Sequence, residues 1–193
     1  MTKLQYPAPI EARRLRMQTL LASLDSIGQV ILGALAAAMR LAPACDFSQR
    51  HRPDRPSTST FGMLRYPTLS ADDAASAGHA VHTDEGTLTI LFASDYGLQT
   101  RSAATQRWAF VEPRTGHAVV NLGDSLRFLS GGRLKACLHR VAPLPGRTIL
   151  ERYSLAYFMR PEDDACFTDT AGRAWTSTEW HIQRFSAHAQ VPV

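Results

Sequence analysis

Two candidate metal ligands and a strand-like apolar run stand together in the segment His82-Thr83-Asp84-Glu85-Gly86-Thr87-Leu88-Thr89-Ile90-Leu91. Alternate side chains of a β-strand share one face, so we expect His82 and Asp84 to point the same way and Thr83 to point the opposite way. One strand would then present an imidazole and a carboxylate side by side. The segment therefore predicts part of a metal site built on a β-strand.

A third candidate ligand, His139, lies far along the chain in the apolar run Leu138-His139-Arg140-Val141, which is typical of another strand. To complete one site, the two strands must be neighbours in the fold. Two imidazoles and one carboxylate are typical of mononuclear non-haem Fe(II) sites. Such a set leaves one side of the metal open for a bidentate co-substrate and dioxygen, whereas a structural zinc site fills all its positions with protein ligands. The pattern therefore indicates a catalytic metal site.

A cation and a hydroxyl follow on a strand predicted at residues 148–159. Arg152 and Ser154 share one face of this strand, and apolar residues occur on both faces. Such a strand is usually covered on both sides, so we expect Arg152 to point into an enclosed pocket. A buried guanidinium needs an anion, which could be Glu151 or another acid, although Glu151 lies on the opposite strand face. A dicarboxylate co-substrate would satisfy the planar guanidinium through one carboxylate, with a further hydrogen bond from Ser154.

The order and spacing of these segments resemble those of the isopenicillin N synthase-like branch of the 2-oxoglutarate/Fe(II)-dependent dioxygenases. The resemblance extends from about Pro7 to the C-terminus. The matching segments, in chain order, are Leu64-Arg65-Tyr66-Pro67, the segment from His82 to Leu91, Gly97-Leu98-Gln99, Val120-Asn121-Leu122-Gly123-Asp124, Leu138-His139-Arg140-Val141 and Arg152-Tyr153-Ser154. The resemblance implies a mainly β fold with an N-terminal helix, namely a double-stranded β-helix, or jelly roll, whose motif strands line the mouth of the barrel.

The resemblance also implies roles for individual residues. The ligands of Fe(II) would be His82, Asp84 and His139. 2-Oxoglutarate would chelate the iron, and its distal carboxylate would pair with Arg152 and Ser154. Tyr66 either contacts this co-substrate or is a core tyrosine with a satisfied hydroxyl. Dioxygen would be consumed, 2-oxoglutarate would become succinate and carbon dioxide, and a small organic molecule of specialised metabolism would be hydroxylated, desaturated or cyclised.

Two other functions remain open. In isopenicillin N synthase the Arg/Ser pair receives a carboxylate of the substrate, so an oxidase that does not use 2-oxoglutarate would carry the same motif. Members of the family also usually have an additional N-terminal region before the long helix, and this chain starts almost at the helix. We therefore also consider a truncated barrel that binds iron without turnover. Apolar surface that such a region would otherwise cover predicts self-association.

Apolar residues recur at three- and four-residue steps between residues 11 and 41, which predicts one long helix. We expect residues 1–60, made of this helix and a connecting loop at 43–60, to pack on a barrel formed by residues 61–193 as one structural unit. Residues 70–80 are predicted to form a second loop next to the iron ligands. The predicted strands are residues 61–66, 88–93, 108–111, 118–121, 125–129, 138–141 and 148–159.

Composition narrows the function classes. The length of 193 residues, with 45% hydrophobic residues, suits one core rather than two. The net charge is +4 and the arginines are scattered, which does not favour nucleic-acid binding because that needs a basic stripe on one element. The uncharged apolar run at residues 26–39 is shorter than the roughly 18 residues of a membrane-spanning helix. Three cysteines at unrelated spacings favour a reducing compartment, so we expect a cytoplasmic enzyme.

The remaining histidines are expected at the surface or in loops, and we assign none of them to the metal. They are His51, His79, His117, His181 and His188. Cys137 stands two residues before His139 and should share its inward face. Because a free cysteine usually behaves as a small apolar side chain, packing is its expected role.

Overall fold

The computed structural model describes residues 6–67 and 78–189, with side chains described up to residue 186. The helices are α1 (Ala8–Glu11), α2 (Arg14–Ala38), α3 (Asp124–Leu129) and α4 (Ser177–Ala189), and 3-10 turns span Pro43–Cys45 and Phe47–Arg50. The strands are β1 (Thr60–Tyr66), β2 (His79–His82), β3 (Leu88–Ala93), β4 (Leu98–Arg101), β5 (Trp108–Phe110), β6 (Val119–Leu122), β7 (His139–Val141), β8 (Arg152–Met159), β9 (Cys166–Thr168) and β10 (Ala174–Thr176). The chain is therefore mainly β, with one long N-terminal helix.

Most of the strands form two four-stranded sheets. The first sheet has the order β1-β8-β3-β6 and the second has the order β2-β7-β4-β5, while β9 and β10 form a separate pair. All the pairings are antiparallel. Successive strands mostly lie in different sheets, so the chain passes back and forth between the two and encloses a barrel interior. This is a double-stranded β-helix, and the predicted fold is confirmed.

Helix α2 packs on the outer face of the first sheet. Its buried residues recur every four positions and are Leu24, Gly28, Leu32 and Ala36. The three apolar side chains among them join a core cluster with Ile90 of β3 and with Tyr157 and Met159 of β8. A methyl group at Gly28 would lie 2.5 Å from the Met159 sulfur, so this glycine allows a close approach of helix and sheet. By length and composition alone the helix could cross a membrane. In this fold its buried residues instead pack against the first sheet.

The strand predicted at residues 125–129 is wrong, because Asp124–Leu129 is a helix. Leu126 and Phe128 alternate as in a strand, but five residues are too few to separate a strand from a helical turn. The backbone N–H groups of Asp124 and Ser125 donate to carbonyls of residues 84–86, which fixes the start of this helix. Gly131, at φ +63°, follows its end.

Several short elements were not predicted from the sequence. They are α1, β4, β9, β10 and α4. Each of these strands has three or four residues, too few for a recognisable alternation of polar and apolar side chains. The loop predicted at residues 70–80 lies mostly outside the described residues, but His79 and Ala80 belong to β2, so the prediction is wrong there. Helix α2 starts and ends a few residues inside its predicted bounds of 11–41.

The predicted alternation along β8 is confirmed on one face of the strand. Arg152, Ser154 and Ala156 are buried and face the barrel interior, whereas Tyr153 and Leu155 are 46% and 38% exposed. The expectation that both faces are covered is therefore wrong for this half of the strand. Cover on the outer face is confined to the end of β8 where α2 packs.

His51 was expected at the surface or in a loop, and it lies in a loop but is buried. The side chain is 5% exposed, with Nδ1 2.7 Å from the Phe47 carbonyl oxygen and Nε2 2.9 Å from Thr87 Oγ1. These contacts join the turn after α2 to the start of β3. Burial lowers the pKa of His51 to about 4, against the opposing effect of the Phe47 hydrogen bond. His117 is exposed, as expected, and the side chain of His188 lies outside the described residues.

We predict that His51 makes stability depend on pH. Below about pH 6.5 the unfolded chain binds a proton at this histidine, whereas the folded chain binds it only below about pH 4. The free energy of unfolding should therefore decrease as the pH is lowered from about 6.5 to about 4. Between pH 7 and pH 5 the wild type should lose roughly 2 kcal/mol more than His51→Gln in urea unfolding. His117→Gln, which changes an exposed ring, should keep the wild-type slope. Equal slopes for the wild type and His51→Gln would contradict the prediction.

Candidate metal centre

The three candidate ligands converge at the end of the barrel where β2 and β7 are paired. His82 of β2 stands directly opposite His139 of β7, so the two strands are neighbours, as predicted. The Nε2 atoms of His82 and His139 lie 3.5 and 3.6 Å from Asp84 Oδ1. One ligand atom from each residue lies within 4.8 Å of the other two. This arrangement fits a single cation bound at one side by three protein atoms.

Asp84 does not belong to the same strand as His82. Strand β2 ends at His82, and Asp84 lies in the turn that leads to β3. The prediction that one strand presents both side chains is therefore wrong, although both reach the same site. The turn allows the carboxylate to face both imidazoles.

Backbone carbonyls fix the orientation of both imidazoles. Nδ1 of His82 lies 2.8 Å from the Ala80 oxygen, and Nδ1 of His139 lies 2.9 Å from the Cys137 oxygen. A carbonyl can only accept, so each Nδ1 donates, and a neutral ring then directs an unprotonated Nε2 towards Asp84. Burial opposes the charged form of His82, but its bonds to Asp84 and Ala80 raise its pKa above the usual value. A cation bound between Nε2 of His82 and the Asp84 carboxylate would take the place of a proton on Nε2.

Two further side chains hold the Asp84 carboxylate. Its Oδ2 accepts hydrogen bonds from Thr89 Oγ1 at 2.5 Å and from Asn121 Nδ2 at 2.8 Å, which leaves Oδ1 facing the histidines. Burial opposes the carboxylate charge, but His82, His139 and these two donors hold the pKa of Asp84 well below its usual value. The site therefore keeps one anionic ligand at neutral pH.

Hydrogen bonds from the start of α3 hold the turn that contains Asp84 in place. The Asp84 carbonyl accepts the N–H of Asp124 at 2.8 Å, and the side chain of Asp124 accepts the Thr83 hydroxyl at 2.9 Å. A methyl group at Gly123 would lie 2.3 Å from the Gly86 carbonyl oxygen, so only glycine allows this approach. Asn121 and Gly123 lie in a segment that resembles the family, but no role was predicted for either residue from the sequence.

The C-terminal part of the chain reaches the same turn through Glu85. The Glu85 carboxylate accepts hydrogen bonds from Arg160 at 2.5 Å and from His181 at 2.6 Å. Its backbone carbonyl accepts the indole N–H of Trp180 at 3.0 Å. His181 was expected at the surface or in a loop, but it lies on helix α4 and is half-buried. Helix α4 therefore packs on the turn next to a candidate metal ligand.

Arg152 points into the barrel, and its guanidinium is buried. The side chain is 1% exposed, Nη1 donates to Ser154 Oγ at 2.7 Å, and Nε donates to the Asp95 carbonyl at 3.3 Å. The guanidinium carbon lies 4.9 Å from the centre of the Tyr66 ring. Burial lowers the pKa of Arg152, while Tyr66 and Asp95 oppose this effect. Hydroxyl, carbonyl and ring are all neutral partners.

No carboxylate of the described residues lies within ion-pair distance of Arg152. Glu151, which was considered as a partner, instead accepts a hydrogen bond from Arg65 at 2.6 Å on the outer face. Gly97, at φ +134°, lies against Arg152, and a methyl group there would be 3.0 Å from its Nε. The buried guanidinium of Arg152 therefore has space around it but no carboxylate partner among the described residues. This is the arrangement that a site for an anionic ligand requires.

One cavity connects the metal ligands with the arginine. It has a volume of about 530 Å³, including its opening to solvent. All six predicted site residues line it, namely Tyr66, His82, Asp84, His139, Arg152 and Ser154. The wall is completed by apolar residues such as Leu64, Leu98 and Val141, and by His79.

Comparison with known proteins agrees with this geometry. Residues 58–161 match the family model of the 2OG-Fe(II) oxygenase superfamily. The chain belongs to this superfamily. It is 47% identical over 168 residues to the 2-oxoglutarate-dependent dioxygenase iboH of Amanita muscaria (strain Koide BX008), covering 85% of this chain and 80% of that relative. It is 38% identical over 192 residues to the 2-oxoglutarate-dependent dioxygenase ecdG of Aspergillus rugulosus, covering 97% of this chain and 56% of the relative.

Solved structures share the fold. The chain matches a full-length Neurospora crassa protein, crystallised in complex with alpha-KG, with a TM-score of 0.78 and 22% identity over 94% of this chain and 60% of that protein. A 2OG-Fe(II) oxygenase family protein from Caulobacter crescentus matches with a TM-score of 0.78 and 28% identity, over 97% of this chain and 63% of that protein. Of ecdG and these two structures, the chain therefore spans about three fifths of the length.

These comparisons confirm the predicted family, enzyme class and cofactors. The relatives are named 2-oxoglutarate-dependent dioxygenases, and the chain belongs to the superfamily of oxygenases that use Fe(II) and 2-oxoglutarate. The Neurospora crassa protein has been crystallised with thymine and with 5-formyluracil, which are small molecules. The roles of individual residues in this chain stay predictions, and they are taken up below.

We predict that Asn121 tunes the metal site without touching the metal. Asn121→Ala removes one of the two donors to Asp84 Oδ2, so the carboxylate is less well oriented and the affinity for Fe(II) should fall about 10- to 100-fold. Anaerobic calorimetric titration measures this affinity. Gln49→Ala, which removes an exposed amide in the turn Phe47–Arg50, should bind Fe(II) like the wild type. Unchanged affinity in Asn121→Ala would show that Thr89 alone positions the carboxylate.

Proposed function

We propose that this chain is an Fe(II)- and 2-oxoglutarate-dependent oxygenase that oxidises a small organic molecule of specialised metabolism. The observation that carries the proposal is the placement of three candidate ligand atoms, within 4.8 Å of one another, in the same cavity as a buried arginine. The similarity to fungal 2-oxoglutarate-dependent dioxygenases supports it. Hydroxylation, desaturation and ring formation are all consistent with this class.

The proposed roles follow from the contacts of each side chain. His82, Asp84 and His139 hold Fe(II), which when bound activates dioxygen at the expense of 2-oxoglutarate. Arg152 binds the distal carboxylate of 2-oxoglutarate through its planar guanidinium, and Ser154 orients that guanidinium at 2.7 Å.

The other residues that line the pocket are proposed to contact the co-substrate or to exclude water. Tyr66 covers one face of the guanidinium and lines the pocket, which supports a contact with the co-substrate. The apolar residues Leu64, Leu98 and Val141 keep water from the reacting atoms.

An anaerobic titration tests the proposal directly. Addition of Fe(II) and then 2-oxoglutarate should produce the weak visible charge-transfer band of the chelate at one equivalent of each. Admission of dioxygen should then yield succinate. Oxygen uptake without succinate would identify an oxidase of the isopenicillin N synthase type. Iron binding without the band or any oxygen uptake would identify a non-catalytic barrel.

We predict that Asp84→Ala abolishes oxygenase activity and weakens iron binding, because this carboxylate is the only anionic ligand of the set. Iron content after anaerobic loading and succinate formation measure the two effects. His82→Ala and His139→Ala should behave in the same way. Asp164→Ala, which removes an exposed carboxylate paired with Arg55, is the control and should retain both properties. Turnover and iron content near the wild type in Asp84→Ala would overturn the metal assignment.

We predict that Arg152→Ala raises the 2-oxoglutarate requirement strongly and leaves Fe(II) binding nearly intact. Truncation of one partner of a buried charged contact costs about 2–5 kcal/mol. Arg152→Lys should recover only part of the affinity, because an ammonium cannot reproduce the planar fork. Arg65→Ala, on the neighbouring strand but paired with Glu151 on the outer face, should resemble the wild type. An unchanged 2-oxoglutarate dependence in both Arg152 variants would place the carboxylate elsewhere.

We further propose that the chain self-associates through the outer face of the first sheet. Met63, Tyr153 and Leu155 are 52%, 46% and 38% exposed there, and Met63 is paired with Leu155. Light scattering should show a mass above that of the monomer, reduced in Leu155→Glu and unchanged in Leu150→Glu, an exposed control outside the strands. A monomeric wild type would refute this proposal.

Three other expectations remain predictions. The cytoplasmic location is supported by the cysteines Cys45, Cys137 and Cys166, which are all described and are all free thiols. The absence of nucleic-acid partners is supported by the scattered arginines. The absence of membrane partners is supported by the packing of α2 on the first sheet, because by length and composition alone α2 could cross a membrane.

A further inference from the structure

A second cavity lies inside the barrel beside the metal pocket, and we refer to it as the second chamber. Its volume is about 820 Å³, including its opening to solvent. Leu91 of β3 and Leu98 of β4 line both this chamber and the metal pocket. The two leucine side chains therefore stand where the two cavities meet, and we refer to them as the wall between the two.

The strand registers explain the division. In the first sheet, the shared leucine of β3 is paired with Ala156 on one side and with Val119 on the other. Ala156 lines the metal pocket, and Val119 lines the second chamber. In the second sheet, the shared leucine of β4 is paired with Val141 of the metal pocket, and its carbonyl accepts the N–H of Val111 of the second chamber. Each leucine thus stands on the strand between the two chambers.

Most of the lining of the second chamber is apolar, and the exposed imidazole of His117 is added at one side. The apolar residues are Leu91, Ala93, Leu98, Val111, Pro113, Ala118 and Val119. Charged residues occur at the rim, where Glu112 pairs with Arg114 at 3.0 Å and Asp95 pairs with Arg147 at 2.8 Å. Because these charges already have partners, the chamber suits a small apolar molecule better than an ion.

We propose that the second chamber is the path by which dioxygen reaches the metal pocket, through the wall formed by Leu91 and Leu98. The inference rests on the proposed function, in which dioxygen is the apolar reactant and 2-oxoglutarate is a dianion matched by Arg152. When 2-oxoglutarate extends from the metal ligands to Arg152, it occupies much of the metal pocket. A separate apolar chamber admits the gas behind it. Rotamer changes of the two leucines are fast enough to open the wall without a permanent gap.

Xenon tests the chamber without iron or turnover, since it binds apolar cavities. In crystals of the full chain under xenon pressure, a xenon atom should lie against Leu91, Leu98 and Val119. Val119→Phe fills the chamber from β6 and should remove this xenon. Val120→Phe changes the next residue of the same strand, whose side chain is 42% exposed on the opposite face, and should retain it. A wild-type chamber without xenon would overturn the proposal.

The rate of nitric oxide binding tests the path itself. Stopped-flow absorbance follows this diatomic gas as it reaches protein loaded with Fe(II) and 2-oxoglutarate. The association rate should fall several-fold in Val119→Phe and stay unchanged in Val120→Phe, with equal 2-oxoglutarate affinities. Val111→Phe, which enters the chamber from the second sheet, replaces Val119→Phe if that variant does not fold.

The outcomes of the two measurements are distinguishable. A variant that loses its xenon site but keeps the wild-type association rate would refute the path. A wild type that holds xenon in the chamber but binds neither Fe(II) nor 2-oxoglutarate would contradict the proposed function, while the apolar gas site would be supported.

Discussion

The pairing of His82 with His139 across β2 and β7 is the contact on which the metal site depends. A slip of one residue would turn His139 to the outer face and bring Arg140 inwards. The outer face resists this slip, because Arg140 donates to Gln99 at 2.8 Å and stacks over Trp108 at 4.4 Å. Strand β7 therefore directs His139 to the barrel interior and Arg140 to the outer face. The contacts of both residues favour the same register.

Asp84 depends on contacts from several separate parts of the chain. Its turn accepts backbone N–H groups from the start of α3, and Glu85 accepts side-chain hydrogen bonds from Arg160, just after β8, and from α4. The carboxylate is then oriented by Thr89 and Asn121, which are paired across β3 and β6. The two histidines follow from one strand pair, whereas the carboxylate requires both sheets and two helices to be assembled. The metal site is consequently a product of the completed fold.

Side-chain directions that follow from short-range periodicity could be predicted from the sequence. Local structure that depends on contacts between distant residues could not. The inward direction of Arg152 and Ser154 follows from a period of two along one strand, and the structure bears it out. The turn at Asp84 could not be predicted, because contacts from Asp124 and Ser125 hold it. These same contacts make residues 124–129 helical, where alternation suggested a strand. Thr89 and Asn121 would have been found only if β3 and β6 had been known to be neighbours.

The two buried charges of the pocket differ in how they are satisfied. Asp84 has hydrogen-bond donors and two imidazoles, so it is stable as an anion in the absence of metal. Arg152 is surrounded by a hydroxyl, a carbonyl and an aromatic ring, and burial lowers its pKa. An unmatched guanidinium in this position destabilises the fold, and an anion bound there removes the cost of burying it. A ligand that binds only the folded chain stabilises it. In the proposed role of Arg152, binding of a dicarboxylate would therefore be coupled to folding, and the glycine at position 97 keeps the space that this coupling requires.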